Sequence, residues 1–118
     1  MEEFKLIIAG GRDFDNAPSL EQHVLELAEM DKAISIVSGM AKGADMLGYQ
    51  FALRWNVKVY QFPADWALHG KAAGMIRNKQ MGDFADGLLA FWDGKSRGTK
   101  HMIEYMHGLH KPVHIITY

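Results

Sequence analysis

Four apolar runs of strand length are each followed by a helical pattern, and a fifth run closes the chain. The runs are Phe4 to Ala9, Ala33 to Val37, Val57 to Phe62, Gly87 to Trp92 and Val113 to Tyr118. Such alternation with short connections admits few folds, because crossovers between parallel strands are right-handed. The first run is apolar at successive positions after Lys5, as a strand buried on both faces requires. An α/β fold follows: a five-stranded parallel sheet with helices on both faces, a three-layer sandwich. One domain, residues 1–118, accounts for the whole pattern.

The helices are expected from Ser19, from about Ala44 to Trp55, from about Ala73 to Ala85, and from about Lys100 to His110. Ser19 and Gln22 have capping-box spacing. Leu20, Val24, Leu27 and Ala28 form the first inward stripe, and Leu47, Phe51, Ala52 and Trp55 the second. Met102, Ile103, Met106 and Leu109 form the last, and Lys111-Pro112 ends that helix. Residues 63–72 read as an irregular loop.

Three strand ends run into glycine turns. They are Ala9-Gly10-Gly11-Arg12-Asp13, Ser38-Gly39-Met40-Ala41-Lys42-Gly43-Ala44-Asp45 and Asp93-Gly94-Lys95-Ser96-Arg97-Gly98-Thr99. In an open parallel sheet, ligands bind outside the carboxyl ends of the strands, where the strand order reverses. Glycine lets backbone N–H groups approach an anion, and the next helix adds its positive end. Any one turn has a plain structural reading, with Gly39 supplying a positive φ and Ser38 a cap. Three on one rim point to a phosphate-bearing ligand. The last is not a Walker A loop, since Lys95 precedes Gly98. It still offers two cations and two hydroxyls at a helix start.

Composition narrows the partners. Thirteen basic and 14 acidic residues leave a net charge of −1, so there is no bulk attraction to nucleic acid or anionic membrane. Cysteine is absent, which excludes disulfides and thiolate metal sites. No apolar run reaches the roughly 18 residues of a membrane span. The acidic start Met1-Glu2-Glu3-Phe4 is unlike a signal peptide, so a cytoplasmic protein is expected. His107 and His110 share a helix face with no third ligand in reach, so no metal and no cofactor is expected.

Arg77-Asn78-Lys79-Gln80 interrupts an otherwise small and apolar helix. Two of the four can face solvent; the other two would face a groove, unless Arg77 simply pairs with Asp83 or Asp86. Trp66, in the 63–72 segment, can stack on a base or serve oligomer packing. With Met102, Tyr105 and Met106 it makes an apolar surface that a homo-oligomer would bury.

These motifs together resemble the SLOG superfamily, which groups the Lonely-guy phosphoribohydrolases, DNA-processing protein A and the nucleotide-sensing region of TRPM channels. Gly10-Gly11-Arg12-Asp13-Phe14, the Ser38 to Asp45 turn, Pro63-Ala64-Asp65-Trp66, Ala73-Gly74-Met75-Ile76-Arg77-Asn78 and Gly94-Lys95-Ser96-Arg97-Gly98-Thr99 are similar to its small bacterial and phage YspA-like branch. The resemblance implies a Rossmann-like sheet of order 3-2-1-4-5 that binds nucleotides or nucleotide-derived ligands. It also implies a hydrolytic arginine at Arg77 and a glutamate three residues after Thr99, where this chain has Met102. Glu104 is about 200° further round the helix.

The first expectation is a sensor or sequestering module for a small nucleotide. Its ligand set would be Gly10, Gly11, Arg12, Ser38, Gly39, Lys42, Gly43, Asp45, Arg77, Asn78, Lys95, Ser96, Gly98 and Thr99, with Trp66 over the base. The alternative is a hydrolase of an N-glycosidic or phosphate bond, with Asp45, Asp93 or Glu104 as acid or base. Single-stranded nucleic-acid binding comes third. A cavity carboxylate of raised pKa favours the enzyme, and a basic groove running past the cavity favours nucleic acid.

Overall fold

The computed structural model describes residues 3–28 and 33–118. The sheet is built from β1 (Glu3–Gly10), β2 (Ala33–Ser38), β3 (Val59–Gln61), β4 (Gly87–Trp92) and β5 (Val113–Thr117). All pairings are parallel and the order is β3-β2-β1-β4-β5. The helices are α1 (Ala17–Ala28), α2 (Ala44–Arg54), the one-turn α3 (Trp66–His69), α4 (Ala73–Phe84) and α5 (Arg97–Gly108). No helix among the described residues is long and apolar enough to cross a membrane.

The continuous apolar character of β1 has the expected consequence. Leu6 and Ile8 enter one core with Leu20 and Val24 of α1 and Phe51 of α2. Ile7 and Ala9, pointing the other way, enter a second core with Met81 of α4 and Met102, Ile103 and Met106 of α5. Strand order reverses between β1 and β4, whose pairing ends at Gly10 opposite Phe91.

Several local expectations give way to the structure. The first helix is capped by Asn16, whose Oδ1 accepts from the Ser19 amide at 3.1 Å, so Ser19 lies inside the first turn instead of capping it. Residues 66–72 are not irregular. Asp65 caps α3 by accepting from the Leu68 amide at 3.0 Å, and a 3-10 turn over Gly70–Ala72 leads into α4. Trp55 lies just beyond α2 and is 48% exposed, because that helix ends at Arg54. Met102 and Met106 are fully buried against the sheet, and half-buried Tyr105 donates to Asp83 at 2.5 Å. Of the apolar surface expected to drive self-association, Met102 and Met106 are therefore core, while Trp66 stays exposed.

Positive φ in the β2–α2 turn falls at Met40 (63°) and Gly43 (90°), not at Gly39. A Cβ on Gly43 would collide with the Gly11 carbonyl oxygen, which is backbone and cannot swing aside. Gly43→Ala should therefore destabilise the fold by about 1–3 kcal/mol, read as a lower urea midpoint. An unchanged midpoint would mean this turn is not held as described.

Candidate functional site

A cavity of about 440 Å³ lies at the carboxyl edge of β1 and β4. That volume suits a nucleotide-sized ligand. Four elements build it. The end of β1 supplies Gly10 and Arg12, the start of α2 Ala41 and Asp45, the start of α5 Ser96, Gly98 and Thr99, and α4 Arg77 and Asn78. Trp66 of α3 stands at the border, 51% exposed. A smaller hollow of about 260 Å³ adjoins it, carrying Gly39 and Lys42 and sharing Arg12, Ala41, Trp66 and Arg77.

The polar interruption in α4 resolves as expected: Lys79 and Gln80 are exposed, Asn78 is buried and Arg77 half-buried. Arg77 does not pair with Asp83 or Asp86. Its Nη1 donates to the Gly39 carbonyl at 2.5 Å and its Nε to Asn78 Oδ1 at 3.2 Å. Asn78 Nδ2 in turn bonds the Gly98 carbonyl and His101 Nδ1, both at 3.2 Å. The Arg77–Asn78 pair thus ties the β2–α2 turn to the β4–α5 turn. A Cβ on Gly39 would lie 2.5 Å from Arg77 Nη1 and 2.7 Å from Asp45 Oδ2, so a side chain there would push those two tips aside.

The two helix starts differ. In α2, the Ala44 amide donates to the Gly11 carbonyl at 3.2 Å and the Met46 amide to the Ala41 carbonyl at 3.1 Å. In α5, Ser96 makes no side-chain cap, and among the described residues the amides of Arg97, Gly98 and Thr99 have no acceptor. The Ser96 and Thr99 hydroxyls are 3.2 Å apart at that turn.

Asp45 is 6% exposed and lines the cavity. Burial lifts its pKa to about 6, against the pull of Arg77, the Ala41 backbone bond, Arg12 and the Gly10 backbone bond. Burial also lowers the pKa of Arg77, opposed by Asp45.

Other residues that the sequence singles out stand elsewhere in the structure. Ser38 is buried; its hydroxyl donates to the Asp45 carbonyl at 2.9 Å and accepts from the Met40 amide at 3.1 Å. The Gly11 amide donates to the Phe91 carbonyl at 3.1 Å, so it is not open to an anion. Gly43 shapes its turn, and Lys95 is exposed outside both hollows. Asp93 accepts from the amides of Ser96 and Lys95, both at 2.8 Å, and these bonds hold its pKa low. Glu104 is exposed on the far face of α5, whereas Met102 lines the cavity. Lys71, Gly74, Met75 and Met81 also line it and lie outside the expected set. Gly74, Met75 and Met81 stand three or four residues from Asn78, so anchoring the face of α4 on Asn78 would have found three of them.

Parallel order 3-2-1-4-5 with a cavity at the reversal defines a Rossmann-like α/β domain. Residues 4–69, more than half of the chain, match the YspA, cpYpsA-related SLOG family, YAcAr, and the chain belongs to that family. A curated relative is the Gene 61 protein of Mycobacterium phage D29, 33% identical over 106 residues, covering 82% of this chain and 83% of the relative. Among solved structures, DNA processing protein A from Streptococcus pneumoniae matches with a TM-score of 0.75 at 19% identity. It covers 96% of this chain and 50% of that one. DNA processing protein A from Helicobacter pylori, whose structure concerns its single-stranded DNA binding mode, matches with a TM-score of 0.67 at 20% identity. It covers 95% of this chain and 64% of that one, so this chain spans between half and two thirds of these two structures. At such identity the likeness is one of fold.

Proposed function

We propose that the cavity binds a small nucleotide or nucleotide-derived ligand, which the protein senses or sequesters. The observation that carries this reading is the open first turn of α5, whose Gly98 and Thr99 line the same cavity as Arg12 and Arg77. Free amides, two hydroxyls and two guanidinium groups match the acceptor-rich surface of a phosphate. Met75, Met81 and Met102 give an apolar wall, and Trp66 a ring face, for a base.

A hydrolase is the second reading, favoured by the raised pKa of Asp45, which lies near the range of a working acid or base. Against it, Met102 occupies the cavity position where the resembling enzymes carry glutamate, and methionine transfers no proton. Asp93 is held by its own turn, and Glu104 faces away from the cavity. Binding without turnover is the better account.

Thermal melts against nucleoside mono- and diphosphates test it. A ligand that binds only the folded state raises the melting temperature. Arg12 is exposed and makes no hydrogen bond or ion pair among the described residues. Arg12→Ala should therefore leave the unliganded melt unchanged and weaken the ligand by about ten-fold. Steady release of free base or phosphate by the wild type, lost in Asp45→Asn, would establish the hydrolase instead.

A further inference from the structure

The smaller hollow needs its own account. At about 260 Å³ it is below the roughly 300 Å³ of a free-standing ligand pocket, so it reads as an extension of its neighbour. The two meet along Arg12, Ala41, Trp66 and Arg77, which belong to both linings. Beyond that shared border the hollow runs between the β2–α2 turn, with Met40 and Lys42, and the Pro63-Ala64 segment. Lys42 is exposed and makes no hydrogen bond or ion pair among the described residues. The extension therefore adds a cation that the main cavity lacks, on the far side of two arginines and a tryptophan.

Taking the nucleotide reading as its base, we infer that the ligand is dinucleotide-sized. One nucleotide unit lies in the larger hollow. A linking phosphate crosses the border at Arg12 and Arg77, and a second unit enters the smaller hollow beside Lys42 with Trp66 available to its base. A mononucleotide would leave Lys42 and the extension unused. The shared chemistry is two nucleoside units joined through phosphate, and both a 3′–5′ phosphodiester and a diphosphate bridge have it. A longer strand would need a cationic track past Lys42, whereas the whole chain carries a net charge of −1.

Calorimetric titration of the intact protein decides the matter. The probes are the four common nucleoside monophosphates, their 5′-phosphorylated 3′–5′ homodinucleotides, the diphosphate-bridged homodinucleosides and a twelve-nucleotide single strand. At least one dinucleotide should bind about ten-fold or more tighter than its mononucleotide, and the linkage it carries names the source. In Lys42→Ala that advantage should shrink to within about three-fold of the mononucleotide measured on the same variant. Equal affinity for mono- and dinucleotides overturns the inference and leaves the nucleotide reading standing, as does an advantage that survives Lys42→Ala. A twelve-nucleotide strand binding far tighter than any dinucleotide overturns it in favour of nucleic acid. Failure of every probe to bind overturns both readings.

Discussion

Arg77→Ala should lose nearly all nucleotide affinity. Nη1 and Nε are held by Gly39 and Asn78, so the guanidinium is fixed at the border of the two hollows, and no described residue accepts from Nη2. A lost hydrogen bond from a charged group is worth roughly 1.5–3 kcal/mol, or about ten- to a hundred-fold in Kd. The alanine also frees the Gly39 carbonyl and removes the cation that acts most strongly on Asp45, so the unliganded protein should melt lower. Affinity is best measured by calorimetry well below that melt. Arg77→Lys keeps the charge without the planar fork and should fall between the two. An alanine variant that binds within three-fold of wild type would remove Arg77 from the site.

Asp45 should make the protein less stable at neutral pH than at mildly acid pH. Its folded pKa of about 6 is above the roughly 3.9 of an unfolded aspartate. Between those values the folded chain holds a proton that the unfolded chain has released. Stability from this group is thus complete below about pH 4, falls as pH rises through 6, and is flat above. The difference amounts to about 3 kcal/mol. Glu3 and Asp93 have lowered pKa values and act in the opposite sense, losing stability as pH falls. Subtracting the urea-unfolding profile of Asp45→Asn from that of wild type between pH 4 and 8 isolates Asp45. Matching slopes would show that burial does not hold its proton. A buried carboxylate kept at a stability cost, in the wall of a cavity, is what a functional site often retains.

Strong periodic segments are legible in the sequence and short polar ones are not. Gly87–Trp92 has its observed bounds because it is a continuous apolar run between Asp86 and Asp93. The start of α5 reads too late, because Arg97-Gly98-Thr99 has the composition of a turn and only packing makes it helical. The four residues of α3 are too few to show a period. At the site, the polar break in α4 marks Arg77 and Asn78, which line the cavity. Gly39 matters as expected, but for the side chains beside it and not for its backbone. Ser38 and Gly11 mislead for one reason: their polar groups are spent inside the fold, on Asp45, Met40 and Phe91. Sequence shows that a donor exists; only the fold shows whether it is already used.

The binding reading stands or falls on a phosphate at the open first turn of α5, beside Arg77. Titration of a nucleotide into the 15N-labelled protein tests it directly, by following amide and arginine side-chain resonances. The amides of Arg97, Gly98 and Thr99 and the Arg77 Nε–H should shift together along one saturable curve, while the internally bonded amides of Gly11 and Ala44 move little. Saturable shifts confined to residues outside this cavity, or none with any nucleotide, would contradict it.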